Sequence, residues 1–174
     1  MSEPDEQPHI HTYRTSLTWD GTTSGGYKRY DRTHQLRAEP AAAGLTLSSD
    51  PAFLGDPSLL NPEQLLVAAA SSCQMLSFLA VAAGARLDVV AYRDDAEAVM
   101  PEDDLPVRIT RIDLRPAITL ADTASERPTE ERLVHLCEVA HRQCFIANSL
   151  TTDVVVTPTF TWVSTGSADA PAAT

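Results

Sequence analysis

The sequence predicts a single α+β domain, on three observations. A long apolar stretch carries no charged residue between Glu63 and Arg86, as expected of a buried helix. A second, amphipathic stretch begins near Thr129. Segments rich in β-branched residues, partly alternating between apolar and polar side chains, precede, separate and follow these two stretches. The predicted order is therefore β-β-(β)-α-β-β-α-β.

The N-terminal third predicts a flexible arm, a β-hairpin and one further short strand. Residues 1–10 are polar and contain proline, as is typical of a loose arm. Tyr13–Trp19 alternates, and after a turn rich in glycine, serine and threonine Tyr27–Arg37 provides the second strand of the hairpin. Leu45–Leu47 is a candidate third strand. Ser48–Leu60 contains two Asp-Pro steps and is expected to be a loop.

The start and end of the long helix have clear signals. Asn61 can cap it, Pro62 suits its first turn, and Glu63 complements the helix dipole. Gly84 is a natural stop. The stretch is about as long as a membrane span, but its serines, cysteine and glutamine and the lack of flanking cations favour a buried helix and no membrane.

The C-terminal half predicts two strands, a helix and a last strand. Leu87–Met100 and Val107–Leu120 read as strands on either side of an acidic turn. The second helix is expected from Thr129 to Asn148, since glutamates occupy its first turn and His-Arg lies near its end. Asp153–Val163 is the predicted final strand.

Composition narrows the function classes. The chain has 174 residues, 43% of them apolar, which indicates one globular domain, predicted over residues 11–163 with a disordered tail at 164–174. The net charge of −11 disfavours nucleic-acid and anionic-membrane partners. Three cysteines fit a reducing compartment, and the acidic N-terminus has no signal-peptide pattern, so we expect a cytoplasmic protein.

Two cysteines suggest thiol chemistry. Cys73 lies in the apolar stretch and Cys144 near the end of the amphipathic one. Each could be an inert core residue, but only a thiolate is nucleophilic, and the surroundings decide whether it forms. Glu63 precedes Cys73 by ten residues, about 15 Å along a helix, so it cannot touch that thiol within its own helix.

A thiolate in an apolar pocket needs a cation. Arg29, Arg32 and Arg37 are the nearby candidates in the second predicted strand. Alternation places Arg32 on one strand face with Tyr30 and His34, and Arg29 on the other. Spacing alone does not choose among them.

A metal site is the competing interpretation. Cys137, His141 and Cys144 fall at positions i, i+4 and i+7 of a helix, with His135 nearby. The paired short spacings of structural zinc sites are absent from the sequence. We therefore predict no metal and assign Cys137 to core packing.

Two segments resemble the bacterial OsmC/Ohr family of hydroperoxide-reducing proteins. NPEQLLVAAASSCQML is similar to the family's Pro-Glu helix start with a reactive cysteine ten residues later. AHRQCFIANSL is similar to the segment that carries the resolving cysteine. The resemblance covers roughly Thr12–Trp162. Phe145 stands where many members have proline, and TSGGYKRYDRTHQL resembles a less-studied OsmC-like branch.

The resemblance implies a cofactor-free peroxidase in an intertwined homodimer. Cys73 would attack an organic hydroperoxide or hydrogen peroxide, and its sulfenic acid would condense with Cys144 to a disulfide. Arg32 would stabilise the thiolate, and Glu63 would hold that arginine. An external dithiol, such as a lipoylated protein, would reduce the disulfide. The alternative is a non-catalytic OsmC-like homodimer that binds an apolar or thiol-reactive small molecule.

Overall fold

The computed structural model describes residues 9–122 and 127–164. Most of the predicted arm, and the predicted tail after Ser164, lie outside these residues. The chain divides into two compact units, Met1–Pro62 and Glu63–Thr174. The α+β class is confirmed, because the described residues combine three α-helices with three small sheets.

The N-terminal unit is a three-stranded antiparallel sheet. Its strands are β1 (Ser16–Thr18), β2 (His34–Arg37) and β3 (Leu45–Leu47), in that spatial order. The predicted pairing of the first two strands and the position of the third are confirmed. The following loop contains a 3₁₀ turn at Pro51–Phe53, capped by the side chain of Asp50.

The second strand is shorter than predicted, because residues 27–30 form a turn and a bend and residues 31–33 belong to no regular element. The physical reason is local hydrogen bonding. The guanidinium of Arg32 donates to the carbonyl oxygens of Tyr27 and Tyr30, at 2.8 and 2.9 Å. Side-chain bonds of this kind compete with strand pairing.

The C-terminal unit contains nearly all of the long helix and the rest of the fold. Helix α1 spans Pro62–Gly84, as predicted. The remaining elements, in chain order, are β4 (Val89–Asp94), β5 (Glu97–Val99), β6 (Arg111–Leu114), β7 (Pro116–Asp122), α2 (Glu130–Arg142), α3 (Phe145–Asn148), β8 (Asp153–Val156) and β9 (Thr159–Ser164).

The three strands predicted in this half are each broken in two, and the predicted continuous strands are wrong. The resulting sheets are β4-β7-β9 and β5-β6-β8. The breaks lie at neighbouring positions, since Asp94 pairs with Pro116 and Ala117 pairs with Thr159. Pro116 and Pro158 have no backbone N–H for a ladder, and aspartate is depleted in strands. The three predicted strands therefore form two separate sheets, and the breaks between them lie at a common bend.

The prediction of a buried long helix is only partly right. One stripe of α1 is buried: Ala70, Gln74, Phe78 and Ala82. Ala70 joins a core cluster with Ile112 and Leu114 of β6, whereas Phe78 and Ala82 join another with β7 and α2. By length and composition α1 would also suit a membrane span, with a mean hydropathy of 1.9. Its stripe instead connects the two halves of a protein core.

The second predicted helix is also interrupted. It was expected to run to Asn148, but α2 ends at Arg142 and the short helix α3 begins at Phe145. Asn148 contributes to the break, because its side-chain amide donates to the carbonyl oxygen of Arg142 at 3.0 Å. That carbonyl is one of the groups that a helix leaves unpaired at its C-terminus.

Candidate functional site

Cys73 lies on α1 between the residues that pack into the two core clusters. Two residues earlier, the hydroxyl of Ser71 donates to Asp94 Oδ2 at 2.5 Å. The other oxygen of Asp94 accepts from the backbone N–H of Arg115 at 2.7 Å. Asp94 and Arg115 both lie at the strand breaks, so the bend in the sheets holds the cysteine-bearing turn of α1 in place.

Cys144 lies in the bend between α2 and α3, not inside a helix. It is the N-cap residue of α3, and its residue surface is only 1% exposed. The break in the predicted helix therefore determines where this thiol lies. A continuous helix would have placed Cys144 on the face that carries Cys137.

The two thiols meet in this structure. The backbone N–H of Ile146, two residues after Cys144, donates to Cys73 Sγ at 3.5 Å. The pKa of Cys144 is raised to about 11, mainly by burial, and the hydrogen bond with Cys73 and the charge of a Cys73 thiolate act in the same direction. The N–H groups of Ala147 and Ile146 act in the opposite direction. Both cysteines are present as free thiols.

This arrangement places the two sulfur atoms in different surroundings. The Cys144 thiol stays protonated near neutral pH, because burial and its neighbour oppose its ionisation. Cys73 is half-buried, and its sulfur accepts a hydrogen bond from the backbone N–H of Ile146. The chemistry that fits is a nucleophilic Cys73 with Cys144 beside it as a second thiol.

Cys137 occupies a different position. It is buried in the core cluster of Phe78 and Ile118, and burial raises the pKa of its thiol to about 12. Its carbonyl oxygen accepts from the buried side-chain amide of Gln74 at 3.4 Å. That hydrogen bond joins α1 to α2 one residue after Cys73. Cys137 therefore contributes to packing between the helices.

Among the three candidate arginines, Arg32 alone is half-buried, whereas Arg29 and Arg37 are exposed. Its guanidinium stacks on the rings of Tyr30 and Tyr27, at 4.0 and 4.8 Å from their centroids. It lines a cavity of about 430 Å³ within the N-terminal unit. The cavity lining is mostly apolar and aromatic: Leu17, Trp19, Thr23, Tyr30, Arg32, His34, Ser48, Ser49 and Pro62.

The sequence predicted that Tyr30, Arg32 and His34 lie on the same side of one strand. They do lie together, but the predicted reason is wrong. They do not share a strand face, because only His34 belongs to β2. They nevertheless line one cavity. Glu63, the fourth predicted site residue, lies in the first turn of α1, where its carboxylate complements the helix dipole.

The metal alternative finds no support in the part of the chain that the structure describes. Residues 9–122 and 127–164 contain no group of three or more His, Cys, Asp or Glu side chains that could hold a metal ion. Cys144 does not continue the helix that carries Cys137 and His141, because α2 ends at Arg142.

Two features of the site have little or no signal in the sequence and were not predicted. The N–H of Ile146 is a backbone group and has no side-chain signal. The Ser71–Asp94 hydrogen bond had a weak signal, namely an aspartate inside a segment otherwise typical of a strand.

The assignment of Cys137 to packing gives a first prediction. Cys137→Ala should keep the activity of the protein and lose about 1 kcal/mol of unfolding free energy, the scale for removing one buried heavy atom. Burial raises the pKa of the wild-type thiol to about 12, from an ordinary value of 9.0, so the buried thiol is the neutral form at neutral pH. Its contribution to stability is therefore complete below about pH 9 and is lost as the pH rises towards 12.

Urea unfolding of both proteins at neutral and alkaline pH measures this contribution. The variant should lose less stability than the wild type between pH 9 and 12. A loss of activity in a folded Cys137→Ala protein would show that this thiol takes part in the chemistry.

Comparisons with known proteins agree with this fold. The family model for OsmC-like proteins matches residues 55–159. No curated protein sequence matches the chain. An OsmC-like protein of unknown function from Vibrio cholerae is 29% identical, with a TM-score of 0.77, over 86% of this chain and all of its own length (100%).

More distant structures share the fold. An organic hydroperoxide resistance protein from Elizabethkingia anophelis, with thiocyanate bound, is 17% identical over 89% of this chain and 99% of its own, with a TM-score of 0.65. An OsmC-like protein from Mycoplasma pneumoniae is 12% identical over 87% of this chain and 99% of its own, with a TM-score of 0.67.

Proposed function

The chain belongs to the family of OsmC-like proteins, and we propose that within it the chain is a thiol-dependent peroxidase that reduces organic hydroperoxides. The observation that carries the proposal is the contact between Cys73 of α1 and Cys144, which lies in the bend between α2 and α3. Structural relatives include organic hydroperoxide resistance proteins. The test is turnover of an organic hydroperoxide with a dithiol.

The proposed reaction has three balanced steps. The Cys73 thiolate attacks the terminal oxygen of R–O–O–H, and the O–O bond breaks to give Cys73 sulfenic acid and an alkoxide, which takes a proton from solvent. The Cys144 thiol then condenses with the sulfenic acid, releasing water and forming the Cys73–Cys144 disulfide. An external dithiol, such as a lipoylated protein, reduces that disulfide and is itself oxidised. Hydrogen peroxide would follow the same route and release water.

In this proposal Arg32 stabilises the thiolate and orients the peroxide, and Glu63 holds Arg32. The support for Arg32 is its position in a mostly apolar cavity, where a guanidinium can bind a polar head group while apolar side chains contact the rest of a ligand. No resident cofactor or metal is required by these steps. We place the reaction in the cytoplasm, where thiols are kept reduced.

We also propose that the protein is a homodimer. One stripe of α1 is exposed and uncharged, and comprises Ala68, Ser72, Leu76 and Ala80. Leu76 is 60% exposed. A contiguous uncharged helix face of this kind is typical of a surface that another copy covers.

The proposed dimer should dissociate when a charged side chain is placed in its interface. Leu76→Glu should convert the wild-type dimer into a monomer, because it would place two carboxylates in the covered interface. Light scattering at micromolar concentration measures this directly. Leu105→Glu is the matched control, since Leu105 is 78% exposed and lies in the turn between β5 and β6. A wild-type monomer, or equal effects of both substitutions, would contradict the proposed interface.

The second candidate function is a non-catalytic homodimer that binds a small molecule. The mostly apolar cavity around Arg32 is the feature that favours it. The two functions differ in one result. A binding protein would retain an unreactive ligand and leave Cys73 and Cys144 reduced after stoichiometric peroxide, whereas the peroxidase would oxidise both.

A further inference from the structure

His34 has a defined hydrogen-bonding state beside Arg32. Its ring nitrogen Nδ1 lies 2.8 Å from the carbonyl oxygen of Arg32. A carbonyl oxygen can only accept, so Nδ1 must carry the hydrogen and donate it. In the neutral ring the other nitrogen, Nε2, then has a free lone pair. Nε2 has no hydrogen-bond partner among the described residues.

The lining of the cavity therefore includes two polar groups of opposite kind. Arg32 can only donate hydrogen bonds, and a neutral His34 with this tautomer can accept one at Nε2. Two guanidinium nitrogens of Arg32 already donate to the carbonyls of Tyr27 and Tyr30, which fixes the orientation of the guanidinium. Leu17, Trp19 and other apolar groups line much of the rest.

We propose that His34 is a specificity-determining residue that selects ligands with an uncharged O–H head group. A hydroperoxide can accept from Arg32 and donate its O–H to Nε2 at the same time. A carboxylate can accept from Arg32 but would place a negative oxygen against the Nε2 lone pair. An ether or dialkyl peroxide has no hydrogen to donate. This inference rests on the proposed function for the chemical class of the ligand.

Unreactive ligands separate this inference from peroxidase activity. The probes are 2-phenyl-2-propanol, its methyl ether, and 2-phenylpropanoate, which differ at the head group and share the phenyl body. Binding is followed by NMR titration at one fixed, mildly alkaline pH. The indole N–H of Trp19 reports on the cavity, and that of Trp162, in β9, is the internal control.

We expect the alcohol to shift the Trp19 signal and to bind about fivefold more tightly than the ether, the scale of one net hydrogen bond. The carboxylate should bind more weakly than the alcohol. His34→Asn keeps a donor near the position of Nδ1 and removes the Nε2 acceptor, so the alcohol and the ether should then bind alike. His135→Phe, at an exposed histidine of α2, should leave the preference unchanged.

Two results would overturn the inference. Equal binding of the alcohol and the ether to the wild-type protein would show that no acceptor acts on the ligand. A preference that survives in His34→Asn would show that His34 acts only by holding the Arg32 backbone. Neither result depends on whether the protein turns over peroxide, so a failed peroxidase assay and a failed selectivity assay are distinguishable.

Discussion

Cys73→Ser will abolish the consumption of organic hydroperoxide, with a loss of at least roughly a thousandfold in turnover, the scale on which removal of a nucleophile acts. A serine hydroxyl does not ionise near neutral pH, and no base that could activate it contacts this position among the described residues. The proposed first step needs a thiolate, so the variant has no route to a sulfenic acid.

The substitution should leave the fold intact, because serine is close in size to cysteine and Cys73 is only half-buried. Circular dichroism and the unfolding midpoint check this point. Cys137→Ala is the matched control, since it also removes one thiol from the same unit. Wild-type turnover by a folded Cys73→Ser protein would disprove the peroxidase assignment.

The long helix α1 was predictable because its signals are local. The start of α1 at Pro62 and its end at Gly84 follow from capping and stop residues that lie beside each other in the sequence. The strand breaks were not predictable from alternation. They depend on Pro116 and Pro158 lying at the same level of neighbouring strands, and that level is fixed only by pairing.

The site likewise combines features with local sequence signals and features that depend on contacts between distant segments. The two cysteines could be selected from their segments, but their contact could not, because it depends on the interruption between α2 and α3. The interruption is held by Asn148, which the sequence suggested only as the end of one helix. Arg32 was grouped with its cavity neighbours by an alternation that does not exist in the structure.

Cys144→Ala will separate the two chemical steps of the proposed cycle. The variant should consume about one equivalent of peroxide per subunit and then accumulate sulfenic or overoxidised Cys73. The wild-type protein, treated with stoichiometric peroxide, should contain an intramolecular Cys73–Cys144 disulfide and no crosslink between subunits. The contact between the two thiols is the reason to expect an intramolecular bond.

The same contact affects the stage of the proposed cycle at which the Cys144 thiol can ionise. Burial is the main cause that raises the pKa of Cys144, but the Cys73 hydrogen bond and thiolate charge add to it. Conversion of Cys73 to an uncharged sulfenic acid removes that added charge. Ionisation of Cys144 then becomes easier at the moment when its sulfur is needed as a nucleophile.

Peptide mapping after limited peroxide treatment, with a sulfenic-acid trap, measures all of these species. Cys137→Ala should form the same disulfide as the wild type, because Cys137 is buried in the core cluster of Phe78. A Cys73–Cys137 disulfide would reverse the roles assigned to the two later cysteines. If Cys73 and Cys144 both stayed reduced, the binding-protein alternative would replace the peroxidase.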